Sequence, residues 1–598
     1  MNARLYRGTW LLVGLPLLLL AFSVARPPAL QAQRDLPAAF QASQARVIAK
    51  DLATNYPNRQ PGTLDSLGAA DWFRRQLTPY GFRVRSDPFT ATIGGRRTTL
   101  VNLVTAKRGL GLSPPEIIVM AHRDDSGTGD GLNDNASGTA ALIELARSYA
   151  PTAAAQRISL PYTLVFLSTD GAGDGALGAA HFAEEQAGHA NILGVVNLDS
   201  IGGRGMPRLI LGANTSRSPS PGLVETLRAA LAQRGNGEPA RPSGLQQLVS
   251  LGFPFDPYEQ APFVSRGIPA VTVTTGGARP PDGPGHGLLL KHLGAVGLAA
   301  QDAVDAMEQG VSLAQGPTSY VFLGQRLVRG WAIAIVLVAM LLPFLAAAVD
   351  LFARCRRRRI RIAPALRSYR SRLGFWAWVG AVFLVFRAIG LWGEGAGPPS
   401  LTSVSWPGGA LLALVLLAGA GWLVARSRLL PRRPIRPEER LAGHSAALLA
   451  LGVVGLLVAA TNPFALIFVL PSLHAWLWLP QVQTRQPALR AGVLLIGFLG
   501  PAYLVWTFAT HYGLGWDAPW YIVKLFAVGY APLPLLVIGL AWLAAAGQLA
   551  ALAANRYAPY PAPEERSRRG PLRELIRTLV FAPRRRSAVS ETRRAVNQ

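Results

Sequence analysis

What most restricts the fold of this chain is a series of long apolar runs beyond residue 330. Seven can be delimited, at about 331–353, 373–392, 407–425, 441–459, 461–480, 491–510 and 530–552. Each is close to the roughly 17–25 residues that a helix needs to cross a bilayer. A helix satisfies its own backbone polar groups in hydrocarbon, so these runs predict an all-α transmembrane bundle over 331–553.

The charge follows the same division. Residues 354–372 hold nine Arg and no acid, 426–440 hold six Arg and two Glu, and the tail from 555 holds eleven Arg and four Glu. These three segments carry +20 of the net +26 and flank apolar runs. Arginine at span ends fixes orientation in a membrane. A nucleic-acid binder needs its basic groups on one face instead, so no nucleic-acid partner is expected. The lipid bilayer is the partner implied. Segments 393–406 and 511–519 contain no Lys or Arg and fall on the outer side. The expected protein is therefore multi-pass in the cell membrane. Residues 26–330 are extracytoplasmic, and the basic tail 554–598 is cytoplasmic.

Residues 1–25 hold Arg4 and Arg7 ahead of an apolar run of about seventeen residues. They read as a signal anchor, which would make eight spans, or as a signal peptide cleaved after "SVA". Arg387, Lys524 and His474 are the notable polar residues inside the runs, and Arg387 and Lys524 are expected to reach towards the interface. Cys355, the sole cysteine, excludes an intrachain disulfide and reads as a free thiol on the cytoplasmic side.

Residues 26–40 form a linker rich in Pro, Ala and Gln, and 41–315 read as a soluble domain. "EIIVMAH", "YTLVFLST", "ILGVVNLDS" and "GIPAVTVTT" are buried strands, "FRVRSDPFTAT" and "TTLVNLVTAK" alternate as strands, and "SGTAALIELARSYA" has helical spacing. Strands alternating with helices imply an α/β sheet covered on both faces, with chemistry at the carboxyl ends of strands.

His122 ends one buried strand and Asp199 another, and Asp134 sits in "GLNDNASG" just before a helix. A histidine and two carboxylates at three loop starts are a metal-ligand set. Asp124, two residues past His122, is placed to hold the other ring nitrogen. Each residue alone also has a plainer reading: a rim histidine, a helix-start acid, a strand-end acid. Phe253, Phe255, Tyr258 and Phe263 lie in a nearby aromatic stretch that would line an apolar site or join the core.

The pieces "NRQPGTLDS", "VMAHRDD", "GLNDNASGTAALIELAR", "GALGAAHF", "VVNLDSIGG" and "APFVSRGIPAVTV" together resemble metallopeptidase family 28, the di-zinc aminopeptidase family, in its membrane-bound multi-span branch. The resemblance covers about residues 45–310. It implies a mixed-sheet, zinc-aminopeptidase-like (phosphorylase/hydrolase-like) fold and hydrolysis of peptide bonds in a peptide or protein substrate. On this sequence one zinc would fall to His122, Asp199 and the bridging Asp134, with Asp124 supporting His122. The family's general base and its second-metal glutamate fall on Ala172 and Gly173, so both are missing. His286 is the nearest candidate for the late histidine ligand, and Asp174 for a replacement base or ligand. One zinc ion rather than two is implied. The function expected is that of a membrane-anchored aminopeptidase-type hydrolase, with an inactive peptidase-fold binding domain on a multi-span membrane protein as the alternative. A transport or scaffold module with the exported domain as accessory is a third reading.

Overall fold

The computed structural model of the protein describes residues 3–30, 39–127, 129–150, 160–186, 191–277, 287–307, 316–393, 398–402, 404–430, 435–482 and 486–557. His286 and the basic tail beyond 557 lie outside the described residues. The strands in chain order are β1 (Val24–Ala25), β2 (Arg85–Ile93), β3 (Arg96–Lys107), β4 (Glu116–His122), β5 (Thr163–Thr169), β6 (Ile192–Asp199), β7 (Arg208–Ile210), β8 (Ala270–Thr274), β9 (Tyr320–Leu323) and β10 (Arg326–Arg329).

Seven of them form one mixed sheet in the order β2-β3-β5-β4-β6-β8-β7. The central strands β5, β4, β6 and β8 run parallel, and the outer pairings are antiparallel. The central strands are apolar nearly throughout because helices cover both faces. Among those helices, Ser137–Ser148 is buried along almost its whole length. From β4 the chain moves outward to β5 on one side, and from β6 it moves to β8 on the other. A crevice therefore opens between the carboxyl ends of β4 and β6, which is where α/β sheets place ligands.

β1 pairs with β10, and β10 with β9, in a small sheet beside this domain. β10 leads directly into the helix Gly330–Ala339. Among the described residues six helices are long and apolar enough to cross a membrane: Ala3–Phe22, Gly330–Arg357, Ala363–Ala388, Gly408–Leu429, Pro437–Thr461 and Leu533–Ala553. A pair bent by 54°, Pro487–Ile496 and Leu499–His511, makes a seventh if counted as one span. The apolar window of Gly408–Leu429 has no buried residue, so its side chains face outward as lipid-facing ones would.

The run at 461–480 differs from expectation. It forms the shorter apolar helix Pro463–Trp476, with Pro471 inside it. Fourteen residues rise only about 21 Å, short of a hydrocarbon core of roughly 30 Å. His474 is not a lone intramembrane base. One ring nitrogen lies 3.0 Å from the Tyr6 hydroxyl and the other 3.0 Å from the Met340 carbonyl, tying the first helix to the bundle.

The two parts of the chain are docked by specific contacts. The Asn462 amide donates to the carbonyls of Leu251 and Gly252 at 2.8 and 3.1 Å, at the end of the helix Gly244–Gly252. The Tyr512 hydroxyl donates to the Phe255 carbonyl at 2.8 Å.

Candidate metal site and active centre

His122 and Asp199 end adjacent parallel strands, and their side chains meet at the sheet's carboxyl edge. His122 Nε2 lies 3.2 Å from Asp199 Oδ1. Asp134 enters from the loop before the helix Ser137–Ser148. The ligand atoms of His122, Asp134 and Asp199 all lie within 4.8 Å of one another. Three residues far apart in the chain thus converge on one point, as a cation site requires.

The loop carrying Asp134 is fixed from several sides. Asn135 Oδ1 accepts from the amides of Ser200 and Gly138 at 2.8 and 3.0 Å, while its Nδ2 donates to the Leu198 carbonyl at 2.8 Å. This ties the loop to the end of β6, at the residues on either side of Asp199. Arg59, from the "NRQPG" segment, is fully buried and donates to the Gly131 and Arg123 carbonyls at 2.8 and 2.9 Å. The Ser126 amide donates to Asp134 Oδ2 at 3.1 Å.

Asp124 supports His122, but mainly through its backbone. Its carbonyl lies 3.0 Å from His122 Nδ1, nearer than its carboxylate at 3.5 Å. The carboxylate instead accepts the Ala172 amide at 2.9 Å and so holds the "STDGAGDG" turn. With Nδ1–H on the carbonyl, Nε2 is the nitrogen presented to the site. Burial disfavours a charged His122, but hydrogen bonds that it donates to the Asp124 and Asp199 carboxylates outweigh burial and raise its pKa well above the usual value. Burial also raises the pKa of Asp134, with His122 opposing. A metal bound there would displace that proton, because a ligating histidine is neutral.

The turn that follows β5 carries the two positions where the resemblance would place glutamates. Ala172 and Gly173 line the cavity above the three ligands. A Cβ added at Gly173 would meet no atom within 4 Å, so the position opens to space. Asp170 is committed elsewhere, in a buried ion pair with Arg123 at 3.0 Å. Asp174 is half-buried, with its pKa pushed up to about 6 by burial and by Asp124 and Asp170. It stands in the turn beside the cavity wall, which is formed there by Ala172, Gly173 and Gly175.

A carboxylate that sequence reasoning missed does line the cavity. Glu259 is 2 % exposed and stands at the start of the short helix Gln260–Ser265, which precedes β8. Its Oε1 accepts from the Thr169 hydroxyl at 2.5 Å, and its Oε2 is buried without a hydrogen-bond partner among the described residues. Burial pushes its pKa up to about 7, against the opposing pull of His122 and Thr169. Its neighbour Gln260 locks the loop, accepting from the Thr272 hydroxyl at 2.6 Å and donating to the Gly212 carbonyl at 3.0 Å. The available signal was an acid set in "FDPYEQAPF", where flanking apolar residues imply burial. Of the aromatic residues near it, Phe253, Phe255 and Phe263 are core, whereas Tyr258 lines the cavity.

This is an α/β domain with a triad of His122, Asp134 and Asp199 at its sheet switch point that could hold a metal ion, joined to a set of apolar helices. Residues 103–286 match the pattern of Peptidase family M28, which supports an M28-like family for this domain. The chain is 30% identical over 189 residues to the alkaline phosphatase isozyme conversion protein of Escherichia coli (strain K12). That match covers 28% of this chain and 52% of the relative, so the chain spans about half the length of the curated relative it matches. Among solved structures it is similar to a glutaminyl cyclase from an Acidobacteriales bacterium, with TM-score 0.37 and 20% identity over 48% of this chain and 99% of that one. It is also similar to a zinc aminopeptidase from Bacillus subtilis, with TM-score 0.36 and 14% identity over 45% of this chain and 95% of that one.

Proposed function

We propose that the protein is a membrane-embedded metallopeptidase of the aminopeptidase type, with one zinc ion held by His122, Asp134 and Asp199 and with Glu259 as the general base. The observation that carries this reading is the convergence of those three side chains in a cavity also lined by Glu259, whose buried Oε2 has no hydrogen-bond partner among the described residues. One imidazole nitrogen and two carboxylate oxygens suit zinc and leave a coordination position open. When bound there, zinc supplies Lewis acidity that polarises the scissile carbonyl and acidifies water.

The chain's own groups do the rest. Glu259 Oε2 takes a proton from water as the water oxygen bonds to the carbonyl carbon. It returns that proton to the amine nitrogen as the carbon–nitrogen bond breaks. Thr169 orients the carboxylate by donating to its other oxygen, and Asp124 fixes the tautomer of His122. Ala172 and Gly173 contribute no side chain to either step. Asp174 takes no part in this scheme, and a second metal through His286 is not needed.

The arginine distribution supports an extracytoplasmic site, and the Tyr6–His474 contact supports retention of the first helix as an anchor. The alternative, a binding domain without catalysis, is favoured by the two missing glutamates.

The test is to purify the full chain in lipid nanodiscs, count zinc per chain, and assay aminoacyl anilides and short peptides beside His122→Ala. One zinc per chain and turnover, both lost in the variant, support the proposal. One zinc without turnover supports the binding domain and removes the enzyme. A chain that binds no zinc refutes both the metal assignment and the mechanism.

A further inference from the structure

The cavity over the triad is not built by the peptidase-like domain alone. Pro398, Pro399, Leu401 and Thr402 also line it. They belong to the segment between the helices Ala363–Ala388 and Gly408–Leu429, so part of the membrane bundle covers the site. The fit is close. A Cβ at Gly175 would lie 2.6 Å from Pro398 Cδ, and Gly175 has φ +100°, so both space and backbone require glycine there.

The same bundle holds this segment and the loop that carries Glu259. The Tyr521 hydroxyl donates to the Pro399 carbonyl at 2.6 Å. Leu401 is buried in one cluster with Phe253, Phe255, Phe508 and Tyr521. Phe255 stacks on Phe508 at 5.3 Å between centroids and meets Tyr521 edge-on at 5.6 Å. Two walls of the cavity, 398–402 and 257–259, thus rest on a single aromatic cluster of the helices Leu499–His511 and Ala518–Ala527.

We propose that residues 398–402 form a fixed roof that determines substrate size, admitting the amino-terminal residue of a peptide when its side chain is small and excluding bulky ends. The cavity volume is about 90 Å³. At roughly 10–15 Å³ per water centre this holds about six to nine water-sized groups, the scale of one small residue with its peptide bond. Tyr521 is a positioning residue in this scheme, acting through Pro399. The substrate class rests on the hydrolase reading above, whereas access to the cavity is a property of the roof alone.

The test reads access without turnover. Ala172→Cys places a thiol on the cavity wall of the full chain in nanodiscs. The parent chain sets the background, because its one cysteine, Cys355, is fully buried, and continued protection of Cys355 reports that each variant is folded. A methyl thiosulfonate and a fluorescein maleimide are compared, with an exposed cysteine at Leu112 as the reference for intrinsic reactivity. The expected result is that the bulky reagent is at least tenfold slower at residue 172 after this correction. Combining Ala172→Cys with Leu401→Gly, or with Tyr521→Phe, should reduce that discrimination at least threefold. Equal relative rates with the roof intact overturn the proposal, as does discrimination that neither roof substitution changes. The hydrolase reading fails by a different readout, absence of turnover in the zinc-loaded chain.

Discussion

Glu259→Gln separates a catalytic carboxylate from a structural one. The substitution keeps the shape of the side chain and an oxygen to accept from Thr169, so that hydrogen bond survives. It removes the proton-accepting charge. A general base is typically worth about 10²–10⁴ in rate, or roughly 3–5 kcal/mol of activation free energy. The stability of the zinc-free protein should move the other way. Burial lifts the Glu259 pKa from 4.5 to about 7, so the folded state binds this proton more tightly than the unfolded chain. The contribution is therefore fully present below pH 4.5 and is lost as pH rises to about 7. At pH 8 the ionised group costs about 3 kcal/mol, from about 1.4 kcal/mol per pKa unit. Glu259→Gln should remove most of that cost at pH 8 and change little at pH 4.5. The assays are kcat on an aminoacyl anilide with zinc, zinc content, and urea unfolding in EDTA at the two pH values. A variant that binds zinc and keeps more than a third of the parent kcat refutes Glu259 as base. A variant that is less stable at pH 8 refutes the account of its burial.

Three further outcomes are expected. Asp174→Asn should lower kcat less than threefold, because the cavity wall beside it is made by its neighbours; a hundredfold loss would return the role of base to Asp174. Asn135→Ala removes three buried hydrogen bonds between the metal loop and β6. At about 1 kcal/mol each it should cost roughly 2–4 kcal/mol of stability and weaken zinc binding, as unfolding and metal titration would show. Gly173→Glu points a side chain into open space, so it should change stability by no more than about 1 kcal/mol. A thermal shift larger than several degrees would show that the turn is less open than its geometry indicates.

The α/β class, the apolar helices and the three residues that converge at the sheet edge were legible in the sequence because each is a local signal. Apolar runs ending in His122 and Asp199 mark buried strands whose last residues reach the sheet edge. The loop "GLNDNASG" marks Asp134 by its turn chemistry. The small residues Ala172 and Gly173 in the turn after β5 were likewise visible. The lengths of the apolar runs were less reliable, since composition does not register the bend at 497–498 or the short helix ending at Trp476.

Glu259 was not legible, because its role depends on which side chains lie across a gap in space. It is 90 residues from Thr169 and more than 130 from His122 in the chain. Only the packing of the β8 loop beneath the bundle buries it and brings it beside the triad. The roof is more distant still, since Pro398 meets Gly175 across 223 residues. Sequence alone therefore determined the candidate donor residues and the membrane-type helices, which local pattern and side-chain chemistry specify. Tertiary structure decided which carboxylate lines the cavity and how much room lies above the metal ligands, because burial and enclosure are properties of surfaces meeting.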